Sequence, residues 1–224
     1  VQGQYGEIHL LGLWLPRHSA PLDAELARLR GHREERNLKI LDRLRSIGIN
    51  IGYQEVLDEA GGESVGRPHI ARVLQKRGIV SNFVQAFELY LGYYGAAYVP
   101  RTLLTPEEGV SLMADLGAVV SFAHPMLIRC PPSWFDEIIP RLKEAGLGAI
   151  EAYHSEHSAR DERFCVELAA RYGLGLSGGS DYHGMAKPGV ELGRGKGGLR
   201  VTVALLDALK ARRKRPVDDA PEVL

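Results

Sequence analysis

Three short stretches of the 224-residue chain carry side chains able to hold a metal ion or move a proton: Ala123-His124-Pro125, Glu151-Ala152-Tyr153-His154 and Ser180-Asp181-Tyr182-His183-Gly184. Side chains alternate along an extended segment, so Asp181 and His183 fall on one side, where a carboxylate oxygen and an imidazole nitrogen can bind one divalent cation or two neighbouring ones. On its own that spacing also describes a hydrogen-bonded surface pair. Ser177-Gly178-Gly179-Ser180 before it lets the backbone turn sharply beside the site. Pro125 drives His124 out of the helical region and ends its strand there, which suits a metal ligand as well as a histidine satisfied by backbone groups. Glu151 fits as a ligand, as a carboxylate fixing a histidine tautomer, or as an ion-pair partner, and the second is preferred. His154 and His157 read as solvated loop histidines, and His9, inside an apolar run, reads by default as a satisfied core residue. In Gly66-Arg67-Pro68-His69 the proline marks the first turn of a helix. Two basic residues at the positive end of its dipole hint at an anionic guest such as phosphate, against an ordinary solvated first turn.

The elements that must position these residues follow from periodicity and breakers. Ile8 to Leu15 reads as a strand. From Pro21 to Leu91 the pattern is helical, with Leu38, Leu41, Leu44 and Ile47 as one helix face and Gly61-Gly62 and Gly78 as breakers. After Pro100 strands and helices alternate. Thr105-Pro106 opens a helix. Strands at Ala118 to Phe122, Ala149 to Tyr153 and Gly173 to Ser177 are separated by helices at Trp134 to Ala145 and Ser158 to Tyr172. Such alternation predicts parallel βα units, whose C-terminal strand ends converge on a site. Each of the three stretches that carry chemistry follows one of these strands. Lys187 and Arg129 lie close to the same rim, either assisting there or solvated.

Composition bounds the partners. Lys plus Arg and Asp plus Glu are each 28, so no net positive field drives broad nucleic-acid or membrane binding. Cys130 and Cys165 lack a C-x-x-C spacing, and no apolar run approaches the roughly 20 residues of a membrane span. A reducing cytoplasm fits. Val1 to Tyr5 run almost directly into a strand, so the chain reads as entered part-way through a domain.

Taken in order, E-I-H-L-L-G-L, G-R-P-H-I-A, Y-V-P-R, F-A-H-P, I-E-A-Y-H, S-G-G-S-D-Y-H-G and K-P-G-V-E-L-G resemble the PHP (polymerase and histidinol phosphatase) superfamily. The likeness is to its bacterial branch of nucleoside 3′,5′-bisphosphate phosphatases and a 5′-to-3′ exoribonuclease. It runs from about His9 to Gly193. It implies an α/β fold, a partial distorted (β/α)7 barrel at 1–20 and 92–213, a helical insertion at 21–91 and a flexible tail at 214–224. It also implies a metal-dependent phosphoesterase with two or three divalent ions, manganese before iron, zinc or magnesium. His9, His124, Asp181 and His183 fall on family metal ligands, and Arg67 and His69 on substrate-phosphate contacts. No side chain is implied as a catalytic residue beyond the ligands. The expected substrate is a nucleotide, another phosphorylated small molecule or a short RNA end, with no membrane and no stable duplex. The family's opening H-x-H, its D-H motif and a glutamate upstream of His9 have no counterpart here, so this chain by itself is expected to be inactive. The rival readings are a histidinol-phosphate-type phosphatase and a non-catalytic binding module on the same barrel.

Overall fold

The computed structural model describes residues 1–62, 64–184 and 187–213; the tail expected at 214–224 lies outside them. The chain divides into two compact units, Val1–Leu22 with Leu104–Leu224, and Asp23–Leu103.

The first unit opens with a small antiparallel hairpin, β1 (Gln2–Gly3) and β2 (Gly6–Glu7), and an edge strand β3 (Leu10–Leu13). The strand expected over Ile8 to Leu15 is thus reduced to its centre. His9 stands just before it and is exposed, so it is not the core histidine that its apolar setting suggests.

The second unit is all-helical: α1 (Ala20–Ser46), whose first residues lie before the boundary, α2 (Tyr53–Ala60), α3 (Arg67–Lys76) and α4 (Phe83–Ala86), which runs into a π-helical turn at Phe87–Leu91. Gly61 ends α2 in the left-handed region at φ 56°, as a C-terminal glycine does. The buried face of α1 is Asn37, Ile40, Leu41 and Leu44, whereas Leu38 and Ile47 are 42% and 45% exposed. A spacing of strict threes drifts around a helix of 3.6 residues per turn, and the i, i+3, i+4, i+7 set wins the core. Ile40, Leu44, Ile51, Ile70, Leu74 and Leu91 form the apolar centre of this unit.

Back in the first unit, α5 (Pro106–Asp115) starts as expected, Thr105 and Glu108 closing a reciprocal cap. There follow β4 (Val119–Phe122), α6 (Ser133–Glu144), β5 (Leu147–His154), α7 (Ala159–Tyr172), β6 (Gly175–Gly179) and α8 (Val203–Lys210). The sheet order is β3-β4-β5-β6, with β4, β5 and β6 parallel and β3 antiparallel to β4. Helices α6 and α7 are therefore the crossovers of two consecutive βαβ units. Every residue of β4 is buried, as a strand covered on both faces requires, and the hydroxyls of Ser121 and Ser177 satisfy each other at 2.6 Å. Phe122, Trp134, Ile139, Leu142, Ile150 and Leu168 fill the core. The mixed α/β fold with a parallel sheet agrees with the expected class, and the C-terminal ends of β4, β5 and β6 deliver His124, His154 and Asp181 to one rim.

Candidate functional site

At that rim the side chains form a continuous chain of neighbours. His9 Nδ1 lies 3.1 Å from His124 Nε2, and the two rings meet edge to face. The His124 ring packs at 5.4 Å from that of His154. His154 Nε2 is 3.9 Å from Asp181 Oδ2, and His183 Nδ1 is 3.4 Å from Asp181 Oδ1. Three stretches widely separated in sequence, carrying His9, His124, and Asp181 with His183, are thereby brought into one cluster.

The backbone is bent to do this. Among the described residues three that are not glycine have positive φ: Trp14, His124 at 30° and Asp181 at 53°. Two of these three are cluster members, and strain of this kind persists only where the surroundings enforce it. Pro125 does remove His124 from the right-handed helical region, but into the left-handed one rather than into an extended form. Asp181 is not extended either. What joins it to His183 is a fold-back in which the imidazole Nδ1 lies 2.9 Å from the Asp181 carbonyl. Nδ1 must donate to that oxygen, which leaves Nε2 of His183 with a free lone pair, the form a metal ligand needs.

Glu151 is buried, and its carboxylate accepts the backbone N–H of His124 at 2.8 Å. It fixes the strained peptide rather than a histidine tautomer. Gly179 explains the paired glycines that follow Ser177. A Cβ there would sit 3.0 Å from Glu151 Oε1, and one on Gly178 would strike Tyr153. These glycines make room for close approach inside β6; they do not turn the chain. Burial pushes the Glu151 carboxyl up to about 7, the His124 N–H working against this and the Asp181 charge with it.

His154 is the residue the sequence reading misplaced. It is the last residue of β5, not a solvated loop histidine, and its side chain is wholly buried. Its Nδ1 accepts the Glu156 N–H at 3.2 Å, so Nε2 carries the proton, and this donor has no hydrogen-bond partner. The clue available in sequence was its place at the end of an apolar run, E-A-Y-H directly after Gly-Ala-Ile. Burial, with the charges of His157 and His124, brings its pKa down to about 4. Burial likewise lowers His124, helped by His9 and opposed by Asp181. For Asp181 burial acts upward, yet the Lys187 ammonium, hydrogen-bonded at 2.7 Å, and the charges of His183 and His124 hold the carboxyl below its ordinary value. Lys187 is thus part of the site.

The donor types fit a divalent cation. Two imidazole nitrogens 3.1 Å apart match the edge of a coordination shell with bonds of about 2.1 Å, and His124 Nδ1 is buried without a partner. The fit stops at pairs. Among the described residues no three His, Cys, Asp or Glu side chains converge as a metal ion requires.

Arg67 and His69 belong to the second unit. Arg67 Nη1 donates to the Leu91 carbonyl at 3.0 Å, and its guanidinium lies 5.7 Å from the Phe87 ring centre. His69 is buried and its Nδ1 accepts the Gly66 N–H at 3.1 Å, which puts its proton on Nε2. The start of α3 thus presents two oriented donors.

Several known proteins are similar to this chain. The 5′-3′ exoribonuclease Rnm of Escherichia coli is 30% identical over 189 residues, 84% of this chain and 64% of that protein. Its counterpart in Salmonella typhimurium is 28% identical over 188 residues with the same coverage. The 3′,5′-nucleoside bisphosphate phosphatase of Chromobacterium violaceum is 27% identical over 212 residues, 94% of this chain and 74% of that one. The chain is similar to phosphoesterases that act on nucleotides. It spans 64% of the length of the two exoribonucleases. Among solved structures, a metal-dependent phosphoesterase from Bifidobacterium adolescentis aligns with TM-score 0.70 and 26% identity over 93% of this chain and 72% of its own. An amidohydrolase from Chromobacterium violaceum, solved with sulfate and without metal, aligns with TM-score 0.70 and 26% identity over 97% and 76%. No family model matches the sequence. Among the described residues no helix is long and apolar enough to cross a membrane.

Proposed function

We propose that the protein carrying this chain is a metal-dependent phosphoesterase that hydrolyses phosphate monoesters or diesters of nucleotides, namely nucleoside 3′,5′-bisphosphates or the 5′ ends of short RNA. The observation that supports this reading most is the opposed pair His9 Nδ1 and His124 Nε2 at 3.1 Å, in a cluster continued by Asp181 and His183. His9, His124, Asp181 and His183 are the residues that would hold divalent ions, manganese first given mixed imidazole and carboxylate donors, with iron, zinc or magnesium as substitutes. Such ions supply charge neutralisation at a phosphoryl group and an activated water.

The chain's own groups then have separable tasks. Glu151 locks the His124 peptide, and the Asp181 carbonyl fixes the His183 tautomer. Lys187, already paired with Asp181 and 3.5 Å from Glu156, is a mobile positive charge able to follow a phosphate oxygen. His154 offers a buried N–H donor 3.9 Å from Asp181 and no free lone pair, so it is not itself a ligand. Arg67 and His69 bind and orient a phosphate of the substrate, work done by positioning and charge.

The test is to purify the natural protein that carries this chain and measure bound manganese, iron and zinc. Phosphate release is then followed from adenosine 3′,5′-bisphosphate, a 5′-phosphorylated oligoribonucleotide and histidinol phosphate. The reading expects turnover of the first two and its loss, together with metal, in His124→Ala and Asp181→Ala. Activity surviving either substitution overturns it, and preference for histidinol phosphate moves the substrate to the rival phosphatase.

A further inference from the structure

Arg36 presents an unmet demand in the second unit. It lies in the middle of α1, is 6% exposed, and gives its Nε–H to the Val99 carbonyl at 2.9 Å. Its Nη2 is buried with no hydrogen-bond partner, and so is Nδ1 of His32 one turn earlier. Both residues line a cavity of about 90 Å³, room for about three waters, whose other walls are Leu29, Arg33, Arg101, Thr102 and Leu103. No carboxylate is among them. Burial first, then the charges of Arg67 and Arg101, bring the Arg36 pKa down to about 10, with Tyr98 opposing and Arg33 adding a smaller push in the same direction. A guanidinium taken out of water needs an anion or a full set of acceptors. Here like charges and an unfilled donor surround a space of the size of a small tetrahedral anion.

We infer that this cavity is a binding site for a phosphoryl group, held by Arg36 from the floor and by His32 and Arg33 from the walls. The planar fork of Arg36 suits two phosphate oxygens, and one face of it is already anchored on Val99. This goes beyond the contacts that family resemblance assigns to Arg67 and His69, and depends on the phosphoesterase reading only for the choice of nucleotide probes.

The full chain is titrated in a chelator, so that metal plays no part, with inorganic phosphate, adenosine 3′,5′-bisphosphate and a 5′-phosphorylated oligoribonucleotide beside its unphosphorylated twin. Binding is read by calorimetry and by the Arg Nε–H resonances. Expected are saturable binding of phosphate, a shift of the Arg36 Nε–H signal, and a loss of affinity of about tenfold in Arg36→Met, with a smaller loss in Arg33→Ala. Arg33 is exposed, so its variant keeps the test decisive if Arg36→Met fails to fold. Tighter binding of the bisphosphate than of the oligonucleotide makes the source a free nucleotide, and the reverse order makes it an RNA end; either sustains the site. Absence of saturable phosphate binding, or affinity unchanged in a folded Arg36→Met or in Arg33→Ala, overturns it and leaves the cavity to water. Phosphate bound in chelator without any hydrolysis by the metal-loaded protein sinks the phosphoesterase reading and not this one.

Discussion

Replacing Glu151 by glutamine removes a carboxyl that burial holds near neutrality while leaving an oxygen to accept the His124 N–H. In the metal-free folded chain this group titrates at about 7 against an ordinary value of 4.5. At 1.4 kcal/mol per pK unit the difference amounts to about 3 kcal/mol of folding free energy. The group is 4% exposed, so solvent does little to reduce that figure. Below pH 4.5 both states keep the proton and there is no penalty. As pH rises through the window to 7 the unfolded chain ionises first, so stability falls, and above 7 it levels off. His124 and His154, both depressed by burial, act in the opposite sense, their contribution being lost as pH falls below about 6.5. Only the difference between the two proteins isolates Glu151. Denaturant unfolding of wild type and Glu151→Gln in chelator, from pH 4.5 to 8, is therefore expected to show a gap that widens in favour of the variant by about 2 to 3 kcal/mol. A difference that stays flat within about 0.5 kcal/mol across that range refutes the reasoning, since it means Glu151 ionises freely in the fold.

Further expectations can be checked alongside. Asp181→Asn keeps shape and removes charge, so bound manganese per chain drops several-fold by elemental analysis while Lys187 loses its 2.7 Å partner. Arg67→Ala raises KM for a nucleoside bisphosphate with metal content unchanged, and it costs about 1 kcal/mol of stability through the lost Leu91 and Phe87 contacts; a fall in metal content contradicts the role. Ile150→Ala empties a fully buried position in β5 and lowers unfolding free energy by about 3 kcal/mol. An effect under about 1 kcal/mol means that the strand repacks.

The order of elements was readable because it depends on local signals. Thr105-Pro106-Glu107-Glu108 caps a helix whatever lies around it, and V-V-S-F is apolar enough to need cover on both faces. The site was readable only as a set of residue types. D-x-H says that Asp181 and His183 are near each other, yet not that Asp181 adopts positive φ and that His183 folds back onto its carbonyl. Those are outcomes of tertiary constraint, as is the burial of His154, whose neighbours His124 and His157 come from different points of the chain. The glycines at 178 and 179 show the same limit. Their freedom of backbone suggested a turn, whereas their missing side chains are what the fold uses, against Tyr153 and Glu151. On α1 the strict-three series gave the right element and half of the face, Leu41 and Leu44 being buried and Leu38 and Ile47 exposed.

The electrostatics of the cluster give an argument that spacing cannot. His9 Nδ1 and His124 Nε2 lie 3.1 Å apart, burial holds the Glu151 carboxyl near 7, and the Asp181 carboxylate is matched by an ammonium at 2.7 Å. Each of these arrangements is a way of tolerating lone pairs and negative charge where nothing else neutralises them. A divalent cation held at His9, His124 and Asp181 would supply positive charge there and so favour the ionised Glu151 carboxyl. Chelation and reloading are therefore expected to move the titration of Glu151 in step with metal occupancy, and a Glu151 that titrates identically in both forms would show that the cluster is no metal centre.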